Sequence, residues 1–196
     1  MTSPYAGLAV DDWAAKTREL IDQHPLDMGE LHTVVLRVWA DIFESGIGSK
    51  PFRIGIDLFP RPQVMAFFLH ELIPLELAFR YPDLWRRDQT SGEKDLVFIP
   101  DNQYSVEIKT SSSRHHIYGN RSYAQPGSAG QKSKSGYYLA INFERVVSGA
   151  PLPRITLVRF GWLDHEDWQG QAAATGQQAR LSSPVEHNKL LVLPLE

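Results

Sequence analysis

The chain has 196 residues, 42% of them hydrophobic and 22% charged, which is enough for one domain with a substantial apolar core. Its 5 tryptophans, 7 tyrosines and 9 phenylalanines argue against a disordered protein, and no apolar run is long enough to cross a membrane. The lack of cysteine excludes disulfide scaffolds, thiolate zinc sites and thiol catalysis, and fits a cytoplasmic location. The first residues lack the basic and hydrophobic regions of a signal peptide, so we expect no export.

Charge is unevenly distributed along the chain. Residues 108–143 contain five cations and no acidic residue, so they carry +5 in a chain whose net charge is -3, and the remainder carries -8. Clustered lysine and arginine side chains make phosphate contacts, whatever the average charge of the protein. The segment therefore indicates either a surface that faces a polyanion or a solvated basic loop.

Helical spacing dominates the N-terminal part of the chain. Residues 11–23 predict a helix capped by an aspartate, and a second helix follows Asp27, which precedes Glu30 as in a capping box and continues until Gly46. After a short strand-like piece at 52–58, the apolar residues 64–81 predict a further helix. Pro74 lies inside this segment, either as a kink or in the first turn of another helix.

The pattern then changes to the alternation that is typical of strands. Two strands at residues 95–99 and 104–110 are joined by a turn and form a predicted hairpin. Residues 111–135 read as a loop or a short helix with loops, because they are rich in Ser, Gly, Asn and Gln. Further strands are predicted at 137–143, 155–162 and 189–195, and a helix at 168–180. This order of elements predicts a single α/β domain.

Charged residues interrupt the two apolar strands of the hairpin. Side-chain alternation in residues 105–109 places Glu107 and Lys109 on the same face of their strand. Burial of a carboxylate or an ammonium without a partner costs several kcal/mol. Asp95, Glu107 and Lys109 are therefore expected to pair with one another or to bind a metal ion.

Asp95 shares that face only under one condition on the hairpin. In an antiparallel pair, the residue numbers of opposed residues have a constant sum, and opposed side chains share a face. Because side chains alternate along each strand and 95 and 107 are both odd, Asp95 and Glu107 share a face only if this sum is even. A two-residue loop at 101–102 would make the sum odd, whereas a three-residue loop or a bulge would make it even. Asn102 tolerates the positive φ that such turns use, so an even register is chemically reasonable.

Asp95 followed by Glu107-Ile108-Lys109 on the next strand resembles the motif of the PD-(D/E)XK nucleases. A preceding helix with glutamates and a following basic loop rich in Asn and Gln strengthen this resemblance. Four segments are also similar to the ScaI-type restriction endonucleases, and the similarity extends over about residues 57–180. These segments are residues 93–97, 105–110, 118–125 and 176–179.

The resemblance implies a fold and a domain organisation. We expect an α/β fold with a central mixed β-sheet flanked by helices, built on a restriction-endonuclease-like αβββαβ core. Residues 1–196 would form a single nuclease domain. Within it, 1–48 would be an N-terminal helical region, 50–147 the catalytic core, and 148–196 the C-terminal strands and helix.

The resemblance also implies an activity and its residues. We expect a type II restriction endonuclease that uses Mg2+ to hydrolyse phosphodiester bonds of double-stranded DNA at a short palindromic site. Asp95, Glu107 and Lys109 would be the catalytic residues. Asp95, Glu107 and the backbone carbonyl of Ile108 would hold the metal, because Mg2+ prefers oxygen ligands.

Two positions of the motif, the aspartate and the helix glutamate, can each be assigned to either of two residues. The proline that the family places before the aspartate is Lys94 here, and a literal Pro-Asp pair ends at Asp101, which competes with Asp95. We favour Asp95, because Asp101 lies in the predicted turn. In the superfamily a glutamate of the preceding helix often assists metal binding, and either Glu71 or Glu76 could fill this role.

The basic loop supplies the residue types that contact DNA. Arginine suits guanine, and asparagine or glutamine suits adenine, whereas lysine suits phosphate. The candidates are Arg114, His115, His116, Tyr118, Asn120, Arg121, Tyr123, Gln125, Lys132 and Lys134. Each of these side chains could instead face water.

A palindromic site implies a homodimer, and a restriction enzyme implies a cognate DNA methyltransferase in the same cell, though not as a stable subunit. Two other functions remain open. The first is a DNA repair or junction-resolving nuclease of the same superfamily. The second is a DNA-binding module without catalytic activity.

Overall fold

A mixed β-sheet of six strands lies at the centre of the fold. The computed structural model describes residues 2–125, 132–173 and 175–194. The helices are α1 (Trp13–Asp22), α2 (Met28–Glu44), α3 (Pro62–Arg80) and α4 (Ser183–Asn188). The strands are β1 (Trp85–Arg87), β2 (Leu96–Phe98), β3 (Val106–Ser111), β4 (Tyr118–Asn120), β5 (Gly136–Phe143), β6 (Ile155–Leu163), β7 (Trp168–Gly170), β8 (Gln178–Leu181) and β9 (Leu191–Val192).

The central sheet has the strand order β1-β2-β3-β5-β6-β9. Strands β3 and β5 are parallel, and all other neighbours in this sheet are antiparallel. A smaller antiparallel sheet of three strands has the order β4-β8-β7. The mixed sheet flanked by helices confirms the predicted fold class.

Helix α3 and strands β1, β2, β3 and β5 occur in the order expected for an αβββαβ core. Because β3 and β5 are parallel, the chain between them must cross from one end of the sheet to the other. In the described residues of this connection, 112–125 and 132–135, the helical structure is one 3-10 turn, Arg121–Ala124. Within those described residues, this short turn is therefore the helical element at the place of the second core helix.

The N-terminal helices follow the apolar spacing of the sequence. Asp27 caps α2, because its Oδ1 accepts a hydrogen bond of 2.7 Å from the backbone N–H of Glu30. Helix α3 begins with Pro62, whose missing N–H costs nothing in the first turn, and it continues through Pro74 without a break. These predicted helices are confirmed, but the aspartate cap of the first helix is not, since Asp12 precedes α1 without a side-chain capping hydrogen bond.

Three predicted elements are wrong. Residues 52–58 form only isolated bridges and turns, with Gly55 at a φ of 84°, where a strand was expected. Residues 168–180 form the hairpin of β7 and β8 instead of a helix, because Gly170 and Gly176 disfavour a helix. The last strand, expected at 189–195, is only β9, because α4 and its end take up the residues before it. Strands β1 and β4 were not predicted.

Strand β5 is buried on both faces, which explains its unbroken apolar sequence. Tyr137, Leu139, Ile141 and Phe143 face the main core with α1, α2 and α3, whereas Tyr138 and Ala140 face a second core under the small sheet. The small sheet and α4 therefore cover one face of the central sheet. No helix in the described ranges is both long and apolar enough to span a membrane.

Candidate active site

The pairing of β2 with β3 brings two carboxylates to one face of the sheet. Leu96 lies opposite Val106, and in this register Asp95, just before β2, lies opposite Glu107. The sum of opposed residue numbers is even, which meets the condition for Asp95 and Glu107 to share a face. A three-residue loop was one of the two connections that would make this sum even, and the observed connection is longer, since it contains the 3-10 turn Asn102–Tyr104.

The Asp95 carboxylate is held from three directions. Its Oδ2 accepts a hydrogen bond of 2.7 Å from the backbone N–H of Ile108 and lies 3.5 Å from Nδ1 of His70, on α3. Its Oδ1 lies 3.4 Å from Nζ of Lys132. Ile108 thus fixes Asp95 from the strand that carries Glu107, and His70 approaches from the helix.

The Glu107 carboxylate is buried, with 3% of its side chain exposed, and both of its oxygens contact cations. Nζ of Lys109 lies 2.6 Å from Oε1, and Nζ of Lys132 lies 2.6 Å from Oε2. Oε1 also accepts a hydrogen bond of 2.5 Å from the hydroxyl of Tyr123. The Lys109 ammonium lies 4.5 Å from the centre of the Tyr123 ring, so these side chains form one packed cluster.

Contacts with His70 and two lysines keep the two carboxylates ionised. Burial acts to raise the pKa of Asp95, but the contact with His70 and the charges of Lys132 and Lys109 outweigh it, so the pKa lies well below its ordinary value. Burial and the charge of Asp95 also raise the pKa of Glu107, yet Lys109 and Lys132 lower it below the ordinary value. Burial and the charge of Glu107 strongly raise the pKa of Tyr123, which stays a hydrogen-bond donor.

A third lysine, Lys94, lies beneath the cluster. It is only 8% exposed, its Nζ has no hydrogen-bond partner among the described residues, and it lies 5.0 Å from the centre of the Tyr138 ring. Burial lowers its pKa to about 8, against the charge of Glu107, which raises it. Gly136 makes room for it, because a Cβ there would lie 2.6 Å from Nζ.

The donor set fits a divalent cation. The Lys132 ammonium already lies between Asp95 and Glu107, so the space between the two carboxylates accommodates positive charge. Within the described ranges, no group of three His, Asp or Glu side chains could hold a metal ion by itself. Mg2+ typically takes one or two carboxylates and completes its shell with substrate phosphate and water, and two carboxylates are what this site offers.

Neither helix glutamate proposed for metal binding contacts Asp95. Oε2 of Glu71 lies 2.8 Å from a guanidinium nitrogen of Arg87, and Oε1 of Glu76 lies 2.7 Å from one of Arg80. Helix α3 presents His70 to Asp95 instead. The contact between His70 and Asp95 could not be predicted from the sequence, because it depends on how α3 packs on the sheet.

The structure separates the predicted DNA-binding residues into groups. Lys132 and Tyr123 belong to the carboxylate cluster. Arg121 donates from Nη1 to the carbonyls of Ala173 and Gly176, at 3.1 and 3.2 Å, and Lys134 donates to the carbonyls of Ser122 and Gln125. Arg121 and Lys134 therefore hold neighbouring backbone. The exposed members are Arg114, His115, His116, Tyr118, Asn120 and Gln125.

The loop that carries Arg114, His115 and His116 is anchored by buried polar groups. Nδ2 of Asn142 donates to the carbonyls of Ser113 and His116, at 2.9 and 3.0 Å. Arg159 donates to the carbonyl of His115 at 2.8 Å. Buried Glu186 accepts from the backbone N–H of Ile117 at 3.1 Å, and its other oxygen lies 2.8 Å from Nδ1 of His116.

Asp101 lies away from the cluster. Its Oδ1 accepts from the backbone N–H of Gln103 at 3.0 Å and its Oδ2 from the Gln103 side chain at 2.8 Å, so it caps the exposed 3-10 turn. Asp95, and not Asp101, therefore faces Glu107.

Comparison with known proteins agrees with this arrangement. The family model of the ScaI restriction endonuclease matches residues 3–194. The type II restriction enzyme ScaI of Streptomyces caespitosus is 51% identical over 195 residues, which cover 97% of this chain and 84% of that protein. The similarity includes the strands that carry Asp95, Glu107 and Lys109 and the small sheet. The chain therefore belongs to the ScaI restriction endonuclease family.

Proposed function

We propose that this protein is a type II restriction endonuclease that uses Mg2+ to cleave double-stranded DNA at a short palindromic site, with Asp95, Glu107 and Lys109 as its catalytic residues. As a member of its family, the chain is a site-specific deoxyribonuclease of the type II restriction class. The observation that carries the assignment of residues is the register of β2 and β3, in which Asp95 and Glu107 face one another beside Lys109.

Asp95, Glu107 and the carbonyl of Ile108 would hold the metal ion, together with the scissile phosphate and water. When bound, Mg2+ supplies positive charge at the phosphate and lowers the pKa of a coordinated water. The Ile108 N–H fixes the Asp95 carboxylate, and the Tyr123 hydroxyl fixes that of Glu107. These two hydrogen bonds keep the oxygens oriented before DNA arrives, which reduces the cost of binding the ion.

Lys109 contributes charge at the reacting phosphate. Its ammonium is positioned by Glu107 on one side and by the face of Tyr123 on the other. From there it would stabilise the negative charge that develops on the phosphate oxygens in the transition state, and would favour deprotonation of the attacking water. Loss of such a contact costs about 2.7 to 4 kcal/mol, or about a hundred- to thousand-fold in rate.

The proposal includes the partners and the location of the enzyme. A palindromic site is matched by a twofold protein, so we propose a homodimer, which sedimentation would detect as twice the chain mass of 22.2 kDa. A cognate methyltransferase would protect the host DNA without forming a stable complex. We place the enzyme in the cytoplasm, where it meets its DNA substrate. Residues 1–196 would act as one nuclease domain.

Digestion of long unmodified duplex DNA tests the proposed function. The wild-type protein and the Lys109→Ala and Lys50→Ala variants are incubated with Mg2+ or with EDTA, and the fragment ends are sequenced. We expect discrete fragments with one shared end sequence in Mg2+ and intact DNA in EDTA. Lys109→Ala should be at least about a hundredfold slower, whereas Lys50→Ala, which removes an exposed side chain, should cut at the same sites as the wild type.

Other outcomes of this digestion identify the other candidate functions. Cleavage of branched or damaged DNA only, with no shared end sequence in the duplex, would indicate a repair or junction-resolving nuclease. Duplex that binds the protein but stays intact in every lane would indicate a binding module. Either outcome would contradict the proposed function.

A further inference from the structure

The small sheet presents a row of polar side chains to the outside. Tyr118 on β4 lies opposite Arg180 on β8, which lies opposite Gln169 on β7. Asn120 lies opposite Gln178 in the next outward row. Because side chains alternate across a strand and opposed residues share a face, all five side chains project from the same face, and all five are exposed. We call these five residues the outer face.

The opposite face of the small sheet packs onto the protein and fixes its position. Trp168, Ala179 and Leu181 are buried against the second core, and Gly119 lies opposite Ala179. A Cβ on Gly119 would lie 3.1 Å from the Trp168 ring and 3.2 Å from Tyr123, so this glycine permits the close packing. The small sheet is therefore a rigid support for the outer face.

The small sheet is joined directly to the carboxylate cluster. The 3-10 turn Arg121–Ala124 follows β4 and carries Tyr123, whose hydroxyl donates to Glu107. The Tyr123 ring also packs against Trp168 of β7, with 5.4 Å between ring centres. A ligand on the outer face would thus be held in a fixed relation to the reacting centre.

The chemistry of the outer face suits DNA bases. An open groove with a volume of about 1300 Å³ lies over the outer face. Tyr118, Gln169, Gln178 and Arg180 line it, and the described lining residues include no Asp or Glu. Within the described part of the chain, no hydrogen bond or ion pair engages the side chains of Gln169 and Arg180, and the Gln178 side chain accepts one long hydrogen bond of 3.5 Å from Gln171. Arginine, asparagine and glutamine are the residues that form paired hydrogen bonds with guanine and adenine.

We propose that the outer face enters a groove of the DNA and reads base edges there, with Gln169, Gln178 and Arg180 as specificity-determining residues in addition to the loop of residues 113–117. The inference rests on the proposed function, since it assigns the base recognition of the same enzyme. Neighbouring strands lie about 4.8 Å apart, so the axes of β4, β8 and β7 span about 9.6 Å, which is within the width of about 12 Å of the major groove.

Single-base discrimination tests the outer face. The cut site is first mapped with the wild-type protein, and kcat/KM is then measured on the mapped site and on every single-base substitution of it. Gln169→Ala, Gln178→Ala, Arg180→Ala and Arg180→Lys are compared with Gln23→Ala and Arg37→Ala, which remove exposed side chains from α2 and the end of α1. Urea unfolding of each variant reports on folding.

We expect each alanine variant to lose about 5- to 150-fold of its discrimination at one base pair of each half-site, because a good paired contact contributes that much. Arg180→Lys should lose discrimination as well, since lysine keeps the charge but not the paired donors. The Arg180→Lys variant keeps the charge and the approximate size of the side chain, so it tests base recognition even if Arg180→Ala folds poorly. The two control variants should discriminate like the wild type.

Two results would overturn the inference while leaving the proposed function intact. In the first, the variants cut the mapped site with wild-type rates and discrimination. In the second, they lose rate uniformly on all sequences and Arg180→Lys restores it, which is the behaviour of a phosphate contact. Failure of the wild-type protein to produce any mapped site would instead contradict the proposed function, and the inference with it.

Discussion

Nζ of Lys132 lies 2.6 Å from Oε2 of Glu107, on the side of that carboxylate that faces Asp95. In the protein without metal, the Lys132 ammonium thus offsets the repulsion between two carboxylates. A metal ion would occupy the same position between the oxygens of Asp95 and Glu107, so the Lys132 ammonium and the metal ion would compete for it.

Replacement of Lys132 by methionine should therefore have opposite effects on metal binding and on stability. Affinity for Mg2+ without DNA should rise at least about tenfold, because the competing charge is gone. The free energy of unfolding without metal should fall by about 1 to 3 kcal/mol, because Glu107 loses a buried partner. Calorimetric titration and urea unfolding measure these quantities. The exposed Lys50→Met is the matched control, and equal Mg2+ affinity in all three proteins would contradict this account.

Tyr123→Phe should weaken the enzyme without unfolding it. The hydroxyl donates to the ionised Glu107, and hydrogen bonds to charged groups contribute about 1.5 to 3 kcal/mol. We expect cleavage to slow by about 10- to 100-fold. Single-turnover rates measure this effect, with Tyr104→Phe as the control, because no hydrogen bond to the Tyr104 hydroxyl occurs in the described ranges. A wild-type rate for Tyr123→Phe would show that Glu107 needs no support from this residue.

Asn142→Ala should loosen the loop that carries Arg114. The substitution removes the hydrogen bonds that Nδ2 donates to the carbonyls of Ser113 and His116, and the bond that Arg159 donates to Oδ1 of Asn142. Unsatisfied buried groups cost about 1 to 3 kcal/mol, so the urea midpoint should fall accordingly. Asn120→Ala, on an exposed position, should leave it unchanged. An Asn142→Ala protein as stable as the wild type would contradict the anchoring role.

Stability should decrease below pH 6.5 because of His24. This residue is 7% exposed, its Nδ1 accepts from the backbone N–H of Leu26, and its Nε2 lies 3.0 Å from the carbonyl of Tyr104. Burial lowers the pKa of His24 from 6.5 to about 4. Between these values the unfolded chain binds a proton that the folded chain does not, so the free energy of unfolding falls as pH falls.

The decrease amounts to about 3 kcal/mol between pH 6.5 and pH 4. Urea unfolding at several pH values measures it. His24→Phe should be less stable at pH 7 but should lack this contribution to the pH dependence, whereas the exposed His115→Gln should retain it. A His24→Phe protein with the full wild-type slope would assign the effect to other groups.

The sequence predicts those features that depend on local chemistry. Asp27 predicts the start of α2, and the alternation around Glu107 predicts β3 and the shared face of Glu107 and Lys109. The parity of the hairpin could only be stated as a condition, because the register depends on a connection whose 3-10 turn has no strong signal.

Features that depend on packing between distant segments escaped prediction. His70 contacts Asp95 only because α3 packs across the strands, and Tyr123 contacts Glu107 only because Gly119 lets the small sheet approach. The alanines and glutamines of residues 168–180 predict a helix, because both residue types favour helices. The segment forms the hairpin of β7 and β8 instead, because a strand arrangement buries Trp168 and Ala179 in the second core.

The most direct test of the central claim compares the cleavage rates of Asp95→Asn and Asp101→Asn on a duplex with the mapped site. Both variants change one carboxylate to an amide within the same hairpin, but only Asp95 faces Glu107. We predict that Asp95→Asn in Mg2+ cuts at least about a hundredfold more slowly than the wild type, and that Asp101→Asn cuts at nearly the wild-type rate. A fast Asp95→Asn enzyme beside a slow Asp101→Asn enzyme would contradict the assignment of the active site.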